Sequence, residues 1–237
     1  ALLGGNVALI LAVLAFGASR HQQVEDELSN APVLKAAILQ QSITMEERFQ
    51  ESPWKSLSDW SRLTRAVVNE RPDLVVWPEG SVVFNPNSNR VFRALGQRSP
   101  KQFFEQMVTE GDFDFLVGGG TITTHGEPDA RGQQDFTAYN SAYMFSRENG
   151  LNGRYDKMVP LPFGEYIPFS DTFPFLKNII QGPGDFQAGT EVTIFEGSYR
   201  DGDVLKPYTF TVPICYEAIL ERQMRLMTDA DLFVNIT

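Results

Sequence analysis

The chain has 237 residues, 42% of them hydrophobic and 21% charged; this suffices for one large domain with a substantial core, and no tract has a disordered composition. Its formal charge of −10 excludes a general nucleic-acid binder, because no Lys/Arg-rich run reverses the repulsion from phosphates. The single cysteine, Cys215, excludes an internal disulfide, and the two histidines, His21 and His125, lack the ligand spacing of a metal site.

Residues 1–18 are apolar and uncharged, near the lower length limit for a membrane span, and are expected to be the end of a transmembrane helix. A buried core helix is the alternative. Residues 19–32 are polar and read as a linker, and residues 33–237 as one domain. Val33 to Gln40 suits a central strand. Ser56 to Asn69 has Leu57, Trp60, Leu63, Val67 and Val68 at helical spacing, and Pro72 stops that helix. Asp73 to Trp77 follows as a buried strand.

Lys101 to Glu110 is amphipathic and is expected to end at Gly111, and Phe113 to Val117 is the next strand. Gly118 to Gly120 lacks the Gly-Lys-Ser/Thr of a phosphate loop and suits close backbone packing. His125 falls in an expected surface loop. Tyr139 to Ser146 alternates, so Tyr139, Ser141, Tyr143 and Phe145 share one face and Asn140, Ala142 and Met144 the other. Gly150 to Gly153 is read as a turn and Pro160 to Pro174 as a long ordered loop. Tyr208 to Ile214 alternates again, Glu217 to Met227 is read as a helix, and Asp231 to Ile236 as a closing strand. The domain is therefore expected to be layered α/β with a mixed sheet, its C-terminal part cut short.

Three polar residues stand just past apolar strands: Glu79, Lys157 and Cys215. That is where open α/β folds commonly build their crevices. Their chemistry is complementary. A thiol attacks as thiolate, a carboxylate can take its proton, and a lysine can stabilise an oxyanion. The start of a helix after Cys215 would favour an anion there, and the Tyr216 N–H could serve as a second oxyanion donor. Each residue also has a plain reading: Cys215 as a small core residue, Glu79 as a solvated loop carboxylate and Lys157 as a surface lysine.

Leu74-Val-Val-Trp-Pro-Glu-Gly80, Gly153-Arg-Tyr-Asp-Lys157 and Pro213-Ile-Cys-Tyr-Glu217 resemble, in order, the three signature segments of the nitrilase superfamily. That resemblance implies a Glu79–Lys157–Cys215 triad on an αββα sandwich. Met158 to Pro168, together with the leading apolar segment, resembles one branch, the apolipoprotein N-acyltransferases. The branch implies an acyl-enzyme thioester on Cys215, a phospholipid acyl donor and a diacylated lipoprotein acceptor. It also implies a bacterial inner-membrane location with the domain facing the periplasm, and needs no metal or organic cofactor.

By the same resemblance Glu165 helps orient the triad, and Tyr216 and Glu217 are active-site neighbours. Glu165 could instead cap loop N–H groups, and Glu217 could favour a helix N-terminus. Trp77 is a candidate wall of the crevice. Phe163, Tyr166, Phe169, Phe173 and Phe175, with Ile167, Leu176, Ile179 and Ile180, crowd one irregular stretch. They read either as a lid touching lipid tails or as packing on the domain's own core. A nitrilase-type amidase acting on a small carbon–nitrogen substrate is the alternative reading of the same triad.

Overall fold

The computed structural model describes residues 2–42, 52–82, 99–127, 134–170, 172–173, 175 and 185–237. Leu176, Ile179 and Ile180 of the aromatic-rich stretch lie outside the described residues. Chain contacts divide the protein into two units, residues 1–33 and 34–237.

The first unit is helix α1, Leu2–Ser29. From Val7 to Phe16 its large apolar side chains are all exposed. Asn6–Ser29 is long and apolar enough to cross a membrane. At about 1.5 Å per residue such a span matches a hydrocarbon core of roughly 30 Å. The polar stretch read as a linker is helical as far as Ser29. Its Gln22–Asp26 hydrogen bond and its Arg20–Glu27 and His21–Glu25 contacts lie at helical spacing and support that extension.

The second unit starts with β1, Ala36–Ile38. Helix α2, Pro53–Val67, has Pro53 in its first turn, and the Ser52 side chain caps it by accepting from the Lys55 N–H. A short 3-10 turn, Val68–Glu70, leads to β2, Leu74–Val82. Helix α3, Pro100–Gly111, opens with a reciprocal capping box between Ser99 and Gln102. The residue that turns the chain out of it is Asp112, with φ +52°, rather than Gly111. Gly111 is glycine for another reason: a Cβ there would sit 2.0 Å from the Phe113 ring.

Strands β3 (Asp114–His125), β4 (Asp135–Ser146) and β5 (Gly150–Asp156) complete a five-stranded sheet in the order β1-β2-β3-β4-β5. The pairs β1–β2 and β2–β3 are parallel, and β3–β4 and β4–β5 antiparallel. A second sheet holds β6 (Phe195–Asp201), β7 (Val204–Thr211) and β8 (Leu232–Phe233), with β6–β7 antiparallel and β7–β8 parallel. Both sheets are mixed, as expected. Strand β1 stands at the edge of the described sheet rather than in its centre, and Ile38 is correspondingly exposed. Gly150 to Gly153 already belong to β5; the turn precedes them, with Ser146 Oγ accepting from the Asn149 N–H. His125 closes β3, where Nε2 lies 2.6 Å from Thr137 Oγ1 across the hairpin.

Alternation along the strands builds two cores. Val75, Trp77, Phe115, Val117, Tyr143 and Phe145 face Leu57 and Trp60 of α2 and Phe104, Met107 and Val108 of α3. Leu74, Val76, Leu116, Ala142 and Met144 face Phe195, Tyr208 and Phe210 of the second sheet. The two faces read from Tyr139 to Ser146 therefore pack into different layers, helix on one side and sheet on the other. Burying each such side chain contributes roughly 1.5–3 kcal/mol.

At the N-terminal ends of β2 and β3 a charged clip ties the sheets together. Asp114 accepts from the N–H of Arg147 (2.9 Å) and of Ser198 (2.7 Å). Asp73 accepts from the Arg200 N–H (3.0 Å) and from its guanidinium (2.9 Å). Arg147 Nη2 donates to the carbonyls of Asp73 (2.7 Å) and Ser198 (3.0 Å).

Candidate active site

The opposite end of the sandwich collects the residues singled out from the sequence. Glu79 lies inside β2, where the pairing with β3 is irregular between Trp77 and Val82. This break turns the carboxylate out of the alternation. Gly118 makes the break possible: a Cβ there would lie 2.2 Å from the Pro78 carbonyl oxygen and 2.8 Å from Glu79 Cα. Close packing, as read from the sequence, holds at Gly118; at Gly120 a Cβ would meet nothing nearer than 4.0 Å.

Lys157 follows β5 with its side chain almost wholly buried, 2% exposed. Its Nζ lies 2.9 Å from Glu165 Oε2 and 3.5 Å from Glu79 Oε1. It also stands over the Tyr216 ring, 5.3 Å from the centroid. Burial pulls the lysine pKa down, but the hydrogen bond to Glu165 and the charges of Glu79, Glu165 and Cys215 outweigh it. The ammonium is held above its ordinary value. Burial raises the Tyr216 hydroxyl pKa; that hydroxyl donates to the Pro160 carbonyl (3.1 Å).

Cys215 is a free, half-buried thiol that opens a short 3-10 turn, Cys215–Ile219. Its φ is +56°, a strained value for a residue with a side chain. The Cys215 N–H donates to the Ile236 carbonyl (2.7 Å), which ties the turn to the end of the second sheet. The helix read from Glu217 to Met227 is broken: Leu220 is extended, and only Glu221–Leu226, helix α4, is α-helical.

Glu217 is fully buried and joins the segments that carry Lys157 and Cys215. Its carboxylate accepts from the N–H groups of Met158 (2.8 Å), Val159 (3.0 Å) and Ile214 (2.8 Å), and from Tyr155 Oη (3.1 Å). The residues after Lys157 and before Cys215 are thus held by one side chain. Burial raises its pKa despite these donors, and burial with the Glu217 charge raises that of Tyr155. Glu165 holds Lys157 and accepts from the Leu161 N–H (2.7 Å), so the orienting and loop-capping readings both describe real contacts.

Trp77 does not line the site. Its ring is buried in the helix-side core, stacked 5.3 Å from Trp60, with Nε1 donating to Thr64. It belongs to the face of β2 opposite the second sheet, set by strand alternation. A cleft of 540 Å³ is lined instead by Glu79 and Asn140 together with Pro78, Gly80 and Phe186. Phe163, Phe169, Phe173 and Phe175 are exposed, by 63%, 76%, 49% and 55%, which argues against packing on the domain's own core for these four. Tyr166 is half-buried, its carbonyl accepting from the Phe163 N–H (2.8 Å).

Three residues of the site are missing from the sequence reading: Asn140, Tyr155 and Gln223. Asn140 Nδ2 donates to Glu79 Oε1 (2.6 Å) and Glu165 Oε1 (2.5 Å). Gln223 Nε2 donates to Tyr155 Oη (3.3 Å). Asn140 carries a legible signal, because it shares its strand face with the buried Ala142 and Met144. A carboxamide at such a position needs polar partners.

The sequence profile of the family described as carbon-nitrogen hydrolase matches residues 35–237. The chain belongs to the carbon-nitrogen hydrolase family. Among curated relatives it is similar to apolipoprotein N-acyltransferase 2 of Treponema denticola, 30% identical over 89% of this chain and 38% of that protein. It is also similar to the apolipoprotein N-acyltransferases of Chlorobaculum tepidum (28%; 93% of this chain, 42% of that one) and Sinorhizobium medicae (30%; 98% and 41%). The chain spans about two fifths of the length of these relatives. Among solved structures, a carbon-nitrogen hydrolase from Helicobacter pylori matches with TM-score 0.51 at 15% identity, over 86% of this chain and 59% of that one. An amidase from Nesterenkonia with an acrylamide adduct on its active-site cysteine matches with TM-score 0.52 at 11% identity, over 86% and 67%. These two share the fold.

Proposed function

We propose that this carbon-nitrogen hydrolase family member transfers a fatty acyl group from a phospholipid to the N-terminal amine of a diacylglyceryl-cysteine lipoprotein, with Cys215 as nucleophile. Glu79 takes the thiol proton, and the thiolate attacks the ester carbonyl. The carbon–sulfur bond forms, the ester carbon–oxygen bond breaks, and the lysophospholipid oxygen receives the proton from Glu79. The amine then attacks the thioester. A carbon–nitrogen bond forms, the amine proton passes to Glu79, and the thiolate leaves. In both steps the Lys157 ammonium holds the oxyanion. The reading places the protein in a bacterial inner membrane through helices such as α1, its catalytic domain on the periplasmic side.

The observation that carries the reading is the surface beside the site. The loop that leaves Lys157 exposes Phe163, Phe169, Phe173 and Phe175, a surface suited to acyl chains and unneeded for a small amide. The N-acyltransferase names of the curated relatives support the same choice.

Intact-mass analysis after incubation with phospholipid micelles tests it. The expected result is one acyl mass on Cys215, discharged by a diacylated lipopeptide amine, and no adduct in Cys215→Ser. Free fatty acid as sole product would instead support the amidase-type hydrolase. Transfer that survives in Cys215→Ala would overturn the proposed nucleophile.

A further inference from the structure

We infer that Asn140 is a positioning residue that bridges Glu79 and Glu165 and so fixes Glu79 in its place beside Lys157, an inference that rests on the catalytic reading above. The site contains two carboxylates, Glu79 and Glu165, around one ammonium, Lys157. Two like charges this close repel each other, so their geometry needs a further donor between them. The observed arrangement is unequal. Glu165 approaches Lys157 to 2.9 Å, whereas Glu79 stands at 3.5 Å.

Asn140 ties the two carboxylates together. Its amide nitrogen carries two N–H groups, and it donates to Glu79 Oε1 at 2.6 Å and to Glu165 Oε1 at 2.5 Å. Its backbone carbonyl also accepts from the Lys157 N–H at 2.8 Å, so one residue fixes all three. The reversed amide would set its oxygen against two carboxylates, and electrostatics therefore selects the observed orientation. A neutral donor satisfies Glu79 without neutralising it. A cation in the same place would depress its basicity, and a carboxylate would add a third negative charge.

The test is the pH dependence of acyl-enzyme formation on Cys215, followed by intact mass in detergent–phospholipid micelles, for wild type, Asn140→Leu and Asn140→Asp. Losing a donor to a carboxylate raises its pKa. In Asn140→Leu the acid limb of kcat/KM should move up by about one pH unit. Its plateau should fall by roughly 10²-fold, with KM for the phospholipid unchanged. Asn140→Asp should move the limb further. Thermal melts establish folding, and if neither variant folds, Asn140→Ser, which keeps one donor, should shift the limb by less than Leu would. A folded variant whose acid limb stays at the wild-type pH overturns the inference, as does a loss confined to KM. If wild type itself takes no acyl mass on Cys215, the catalytic reading fails and the inference falls with it, an outcome distinct from an unmoved limb.

Discussion

The two ends of the sandwich both bury clusters of charge, but they use it differently. At the base, Asp73 and Asp114 are met by backbone N–H groups and by Arg147 and Arg200 from neighbouring strands. Each acid there has fixed, complementary donors that link the two sheets. At the other end, Glu79 and Glu165 share one ammonium, the proposed nucleophile Cys215 sits on strained backbone, and a cleft opens beside Glu79. The first arrangement spends charge on holding layers together. The second sets two carboxylates and an ammonium near a free thiol, as the proposed chemistry requires. Buried charge alone therefore does not mark an active site.

Substitutions at the two ends should separate these roles. The largest effect is expected at Lys157→Met, which removes the proposed oxyanion donor and leaves two unopposed carboxylates. Acyl transfer should fall by about 10³-fold, measured as single-turnover acylation of Cys215, while the fold persists. Arg147→Met at the base should do the reverse. It should cost about 3 kcal/mol in a urea melt by stranding buried acids, with acylation by the remaining folded protein unchanged. If Arg147→Met lost activity without losing stability, the division between the ends would be wrong.

Glu217→Gln belongs to both categories. Its amide would turn a donor toward backbone N–H groups, at a cost of about 2 kcal/mol, and acylation should slow because the two catalytic segments loosen. A pH series sharpens this. Glu217 has a folded pKa raised above 4.5 by burial, so the fold binds its proton more tightly than the unfolded chain does. Stability should therefore fall as pH rises from near 4.5 through the folded pKa and then level off. Glu217→Gln should flatten part of that slope. The residual slope belongs to Asp114, raised for the same reason at the base.

The smallest stability change is expected at Phe169→Ser, under about 0.5 kcal/mol for a side chain this exposed. Its effect should instead appear as a raised KM for phospholipid. An unchanged KM would remove Phe169 from the proposed lipid surface.

Much of this architecture is legible in the amino-acid order. Helical spacing locates α2 and α3, and alternation along β4 correctly assigns Tyr143 and Ala142 to opposite cores. Glu79 and Cys215 stand out from the apolar runs before them, and Lys157 from the segment Gly153 to Asp156 that precedes it. Other features depend on contacts between distant segments. Trp77 is next but one to Glu79, yet strand alternation turns it into the helix-side core. The carboxylates that accept from Asn140, and the partners in the base clip, lie 25 to 127 residues apart, beyond any local pattern. The break at Leu220 is similarly hidden, because the residues of Glu217 to Met227 suit a helix and tertiary packing divides it.

Gly118 has a consequence for how this site can change. The depth of Glu79 is set by an atom that β3 lacks, since the smallest side chain there would collide with the Pro78 carbonyl. The position acts as a gauge: any added methyl would push Glu79 outward although the chain would still carry every residue of the proposed triad. Activity at this site can therefore be lost through a residue that has no functional group at all.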